Sequence, residues 1–108
     1  MKGTYLGEFE EVVLLAVAIR SEDAYGAAVT TEIEQQMARS VNLGAVHSAL
    51  HRLEEKGLLT SQMGGVTQER GGRRKRLYSV TGAGRRALQE IRQLRNQMWE
   101  AIPQTAWT

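Results

Sequence analysis

Cysteine is absent from this 108-residue chain, which excludes a disulfide scaffold, a thiol nucleophile and any thiolate-bound metal. Only two histidines are present, so little remains for other metal chemistry. No apolar run approaches the roughly 18 residues that span a bilayer, and the opening Met1-Lys2-Gly3-Thr4 carries no apolar stretch of a secretory leader. A soluble, cytoplasmic protein that makes no membrane contact is expected. Linkers, internal repeats and low-complexity tracts are also missing. At this length there is room for one compact domain with a modest core, and a multidomain enzyme is excluded.

What is present is unevenly charged. Residues 1–38 hold two cations against seven acids, a net of −5, whereas residues 39–108 hold twelve cations against five acids, a net of +7. Five of those cations lie within Arg70-Gly71-Gly72-Arg73-Arg74-Lys75-Arg76. By itself such a block is either a solvated loop or the footprint of a polyanion site. Its structural setting decides between them.

Hydrophobic spacing supplies that setting. Leu6, Phe9, Val12, Val13, Ala16, Val17 and Ile19 recur every three or four residues behind Glu8, Glu10 and Glu11, which predicts an amphipathic helix with acids at its positive end. Ser21-Glu22-Asp23-Ala24 interrupts it. Asp23 is then the expected N-cap of a second helix with Tyr25, Val29, Ile33 and Met37 on one stripe. Gly26, near its start, suggests either close approach of a neighbouring helix backbone or a simple start signal. Asn42 is the expected cap of a third helix that places Leu43, Val46, Leu50 and Leu53 on one face and stops at Lys56-Gly57. Its opposite face, centred on Ser48 and Glu55, carries Gly44, Ala45, His51 and Arg52, with His47 at the edge. Small residues there suggest that something bulky comes close.

Beyond Gly57 the pattern becomes extended, over 58–63 and again over 76–80, with a glycine-rich cationic loop between. Thr81 caps a final helix in which Ala87, Ile91, Leu94, Met98 and Ala101 alternate four and three apart, the 3.5-residue period of a coiled-coil seam. Leu88 and Trp99 widen this seam, and Pro103 ends the helix or lies just beyond its end. Trp107, near the end of the chain, is expected to lie outside any ordered element.

Three helices followed by a hairpin predict a mainly α chain with a small β-hairpin, the winged helix-turn-helix arrangement, with a C-terminal dimerisation helix. Residues 1–80 form the DNA-binding part; residues 81–108 form the dimerisation element of the same compact unit. The third helix can enter a major groove because its small residues let its axis approach the base edges, while His47, Ser48 and Arg52 keep hydrogen-bonding capacity. The hairpin cations can reach phosphates or the minor groove.

Three motifs then stand in order: Tyr25-Gly26; Leu43-Gly44-Ala45-Val46-His47 running into Leu50-His51-Arg52-Leu53-Glu54-Glu55-Lys56-Gly57-Leu58-Leu59; and Arg73-Arg74-Lys75-Arg76-Leu77-Tyr78-Ser79-Val80-Thr81-Gly82-Ala83-Gly84. Together they resemble the PadR family of bacterial transcriptional regulators over residues 6–90. The resemblance implies a homodimeric, usually repressing DNA-binding protein whose ligand relieves binding. It makes 43–56 the recognition helix, 64–75 the wing and the helix after Thr81 the dimerisation element. Where the family usually carries a tyrosine this chain has His47, exchanging a phenol for a titratable imidazole. The expected DNA-contacting residues are Asn42, Gly44, Ala45, His47, Ser48, His51, Arg52, Arg70, Arg73, Arg74 and Lys75. Those expected at the dimer seam are Ala87, Leu88, Ile91, Leu94, Met98, Trp99 and Ala101.

Other chemistry is poorly represented. His47 and His51 sit four apart, but neither a HExxH motif nor a third ligand accompanies them, so no metal site is expected. The glycine pairs at 64–65 and 71–72 lack the ending of a phosphate-binding loop. Neither paired carboxylates on an apolar face nor a nucleophile with a base nor a cofactor fingerprint is present, so neither an enzyme nor a cofactor is expected. Trp99 is either interface packing or the platform for a small planar apolar effector. A winged-helix module that binds protein instead of DNA is the rival reading, and five wing cations beside a small-residue helix face argue against it.

Overall fold

The structure, a computed structural model, describes residues 6–66 and 74–108. Four α-helices occur in it: α1 (Glu8–Arg20), α2 (Gly26–Met37), α3 (Leu43–Glu55) and α4 (Gly82–Ala101). Strands β1 (Leu59–Val66) and β2 (Arg74–Val80) pair antiparallel between α3 and α4. Leu59 lies opposite Val80 and Met63 opposite Arg76; the register then shifts before Val66 meets Arg74. At this shift two residues of β1, Gly64 and Gly65, stand against one of β2, Lys75, the two-against-one count of a bulge, where glycine is favoured. Both strands run a few residues further into the wing than the sequence pattern predicts.

The apolar faces of all these elements meet in one core. Val13, Leu14 and Val17 of α1 pack with Val29 and Ile33 of α2, and with Val46, Ala49, Leu50 and Leu53 of α3. Leu58, Leu59 and Tyr78 close it from the hairpin, and Ala87 and Ile91 are the part of α4 that belongs to it. Each fully buried leucine contributes about 1.5–3 kcal/mol, so this cluster is the main source of stability in a chain without cross-links. Three residues placed on buried stripes by periodicity lie at the surface instead: Ile19, Met37 and Leu43. Each sits at an end of its helix, where the neighbouring helices no longer cover it.

Helix boundaries follow cap chemistry in two cases and depart from it in a third. The Asn42 side chain accepts from the Ala45 amide at 3.0 Å, and the Thr81 hydroxyl accepts from the Gly84 amide at 3.0 Å, as expected of N-caps. Asp23, expected to cap α2, lies in a single 3-10 turn, Ser21–Asp23, and its carboxylate is 3.5 Å from the Arg20 guanidinium. The N-cap of α2 is Tyr25, which has no capping side chain, because its backbone is extended and bridges Leu77 at the edge of the hairpin. The Tyr78 amide donates to the Ala24 carbonyl at 2.9 Å in the same place. Sheet formation thus decides where α2 begins.

The molecule measures 60 × 30 × 20 Å. Its length comes from α4, which is exposed at every position from Arg92 to Ala101.

Candidate nucleic-acid interface

Helix α3 separates the two faces that its sequence suggests. Val46, Ala49, Leu50 and Leu53 are buried, while Gly44, Ala45, His47, Ser48, His51 and Arg52 are exposed, with Asn42 at their N-terminal end. The exposed residues begin with the smallest, so the helix axis is most approachable near its N-terminus. His51 Nε2 lies 3.3 Å from a Glu55 carboxylate oxygen. His47 lies over the start of α2: a Cβ added to Gly26 would come 2.5 Å from His47 Cε1. The close approach that calls for glycine at 26 is therefore to the His47 side chain, not to a helix backbone. Among the described residues, no group of three His, Cys, Asp or Glu side chains could hold a metal ion.

The far end of α3 is fixed by a residue of α1. Glu10 is buried, and its carboxylate accepts from Arg52 Nε at 2.8 Å, from Lys56 Nζ at 2.7 Å and from the Gly7 amide at 3.3 Å. Burial pushes its carboxyl upward, but the hydrogen bonds from Lys56, Arg52 and Gly7 outweigh that, and the group ends below its ordinary value. Sequence reasoning treats Glu10 as one of three acids at a helix start and does not pair it with α3, because its partners lie 42 and 46 residues away. Neighbouring Glu11 faces the other way and accepts from Arg95 of α4 at 3.0 Å.

The hairpin root is joined to the helices by polar contacts. Ser61 Oγ donates to Glu54 of α3 at 2.7 Å and accepts from Arg76 Nη1 at 3.0 Å. The Lys75 ammonium stands 3.8 Å over the Tyr25 ring, a cation–π contact between wing and helix-turn-helix. Arg74 enters through its backbone register only. Arg70 and Arg73 lie outside the described residues.

On α4, Ala87 and Ile91 are buried in the domain and Leu88 is half-buried against it. Leu94, Met98, Trp99 and Ala101 are exposed. Trp107, expected outside any ordered element, lies in a 3-10 turn, Gln104–Trp107, and stacks on Trp99 with ring centroids 6.4 Å apart. Trp99 also borders a groove of about 420 Å³ between α1 and α4, together with Leu15, Leu88 and Arg95. Leu15 is 44% exposed and extends the apolar strip onto α1. The apolar run Val12–Ala18 conceals this in the sequence, since a leucine there reads as core.

A tri-helical core, a third helix with a small polar exposed face and an antiparallel hairpin packed at its end define a winged helix-turn-helix protein. The chain belongs to the Transcriptional regulator PadR-like family, whose profile matches residues 14–90. Membership implies a non-enzymatic role. The chain is 41% identical over 70 residues to Transcriptional regulator Rv3488 of Mycobacterium tuberculosis, a match covering 65% of this chain and 61% of that protein, so it spans about three fifths of that relative. In fold it is similar to a PadR-like transcription factor from Bacteroides fragilis, with a TM-score of 0.70 at 22% identity over 85% of this chain and 84% of the other. It is also similar to RosR of H. salinarum, with a TM-score of 0.70 at 23% identity over 91% and 81% of the two chains. No helix among the described residues is long and apolar enough to cross a membrane.

Proposed function

We propose that the protein is a sequence-specific, double-stranded-DNA-binding transcriptional regulator that works in the cytoplasm as a homodimer, with residues 1–80 engaging DNA and 81–108 joining the subunits. The observation that carries this reading is the exposed small-residue face of α3 beside a hairpin root that bears Lys75 and Arg76. Gly44, Ala45, His47, Ser48, His51 and Arg52 approach the base edges, Asn42 borders them, and Arg70, Arg73, Arg74 and Lys75 meet phosphates. The exposed apolar strip Leu94, Met98 and Trp99 continues the line of Ala87, Ile91 and Ala101 and supports pairing through α4.

The test is a salt titration of affinity for a duplex selected by the protein from a randomised library and for the unselected pool. Replacing Arg73, Arg74 and Lys75 with Ala should weaken both alike and flatten the salt slope by about one unit per lost phosphate contact. Replacing Ser48 with Ala should reduce preference for the selected duplex by about 1–3 kcal/mol if it touches a base, and spare the pool. Parallel losses from both variants would refute the division of labour.

We further propose repression relieved by a small planar apolar effector at Trp99, supported by the groove beside that ring. Such a ligand regulates only if it prefers one spacing of the two recognition helices. Trp99→Ala should abolish ligand quenching of tryptophan fluorescence while leaving the dimer intact; dissociation would make Trp99 an interface residue only.

A further inference from the structure

The Glu10 cluster has no part in core packing or in the seam of α4. A buried carboxylate is costly unless it is paired, and this one is satisfied by Arg52 of the helix proposed to read DNA and by Lys56, that helix's C-cap. Arg52 follows Ser48 by four residues, and Lys56, the C-cap of α3, follows Arg52 by four, so all three lie along one line of α3 and its cap. That line starts on the exposed face and ends at Glu10.

The bond to Glu10 uses Nε of Arg52, the inner nitrogen of the guanidinium. The side chain remains 49% exposed against 10% for Glu10, so the pairing grips the base of the fork and leaves its outer end toward solvent. A free arginine loses much rotamer freedom when it binds, whereas one held by a buried acid has already lost it. Arginine's planar fork matches the paired acceptors of a guanine edge, and lysine's point charge does not.

We propose that Glu10 is a positioning residue for sequence recognition: from α1 it presets the Arg52 guanidinium for a bidentate base contact beyond Ser48, while holding Lys56 back as a structural cation. This rests on the DNA-binding reading above and adds a residue of α1 to it. Charge balance explains why the device favours discrimination. One negative charge under two cations weakens their general attraction for phosphates, which is blind to sequence, without removing the directional donors of Arg52.

The probes are the selected duplex and the unselected pool, measured with Glu10→Gln, which keeps the shape and removes the charge, and with Arg52→Lys, which keeps the charge and removes the fork. Both variants are first checked for native circular dichroism. For Glu10→Gln, affinity for the selected duplex should fall about tenfold while affinity for the pool holds or rises, because the negative charge that offsets Arg52 and Lys56 is gone. Simple loss of structure would lower both together, and a selected-to-pool ratio unchanged within about twofold overturns the proposal. If Glu10→Gln does not fold, Arg52→Lys decides alone: the ratio should fall about tenfold with an unchanged salt slope, and an unchanged ratio overturns the proposal. Failure of the wild-type protein to enrich any duplex from the library would instead refute the DNA-binding reading, and this is visible before any variant is made.

Discussion

Gly84 and Gly26 both lie in the first turn of a helix, yet replacing each with alanine should have opposite consequences. A Cβ on Gly84 would stand inside the contact shell of the Leu58 carbonyl oxygen and 2.9 Å from Val80 Cγ1. That carbonyl cannot turn away, since it accepts from the Thr81 amide at 3.1 Å at the junction of hairpin and α4. Relief requires lifting α4 off β1. Overpacking of this kind costs about 1–3 kcal/mol. Alanine's intrinsic helix advantage returns at most about 1 kcal/mol, and less in a first turn, so Gly84→Ala should be destabilised by about 1–2 kcal/mol. A Cβ on Gly26 instead meets only imidazole atoms of His47, an exposed side chain free to rotate aside. Gly26→Ala should therefore stay within about 0.5 kcal/mol of wild type while displacing His47 from the face proposed to contact DNA. Urea unfolding at equal protein concentration measures both, the concentration being held because a dimer's stability depends on it. The reasoning fails if Gly84→Ala is as stable as wild type, or if Gly26→Ala loses more.

Replacing Leu94 and Met98 together with Glu would place charge in the proposed seam and should yield monomers by sedimentation; an unchanged dimer mass would move the interface elsewhere. The lowered carboxyl of Glu10 makes its stabilisation present above the ordinary value of 4.5 and lost as pH falls through the folded value. Wild type should therefore exceed Glu10→Gln by about 1–3 kcal/mol at neutral pH, and this gap should narrow as pH falls below 4.5 in urea titrations. Tyr78 titrates in the opposite sense: burial and then the nearby Glu54 raise its hydroxyl, so the stability it gives is present below pH 10.0 and lost as pH rises through the folded value. Tyr78→Phe should flatten the alkaline unfolding profile.

Most of the element order is legible from the residues because it depends on neighbours in sequence. The Asn42 and Thr81 caps act over three residues, and the stripe Val46, Leu50, Leu53 needs only the period of a helix. Long-range contacts are where local reading runs out. Asp23 has the chemistry of a cap, but the bridge between Tyr25 and Leu77, more than fifty residues apart, sets the start of α2. Period alone put Ile19 and Leu43 inside, and only the positions of neighbouring helices show that they protrude. Of the candidate interface, the residue types on α3 could be read directly; the buried acid paired with Arg52 and Lys56 could not, since nothing in Glu8-Phe9-Glu10-Glu11 separates the inward carboxylate from its neighbours.

Three consecutive elements share the bonds around Gly57 and Leu58. The Leu58 amide donates to Leu53 of α3, the Leu58 carbonyl accepts from Thr81, and the Thr81 hydroxyl donates to the Gly57 carbonyl at 2.7 Å. The end of α3 and the start of α4 are thus set at one angle, like the arms of a set-square. In the dimer proposed on α4, a helix about 30 Å long, the distance between the two proposed reading heads would follow from this joint and from how the arms cross at the symmetry axis. The letters of an operator and the spacing between its halves then belong to different parts of the chain. Substitutions at 44–52 could alter the letters and leave the spacing alone, whereas substitutions at 94–101 could retune the spacing without changing a single base contact.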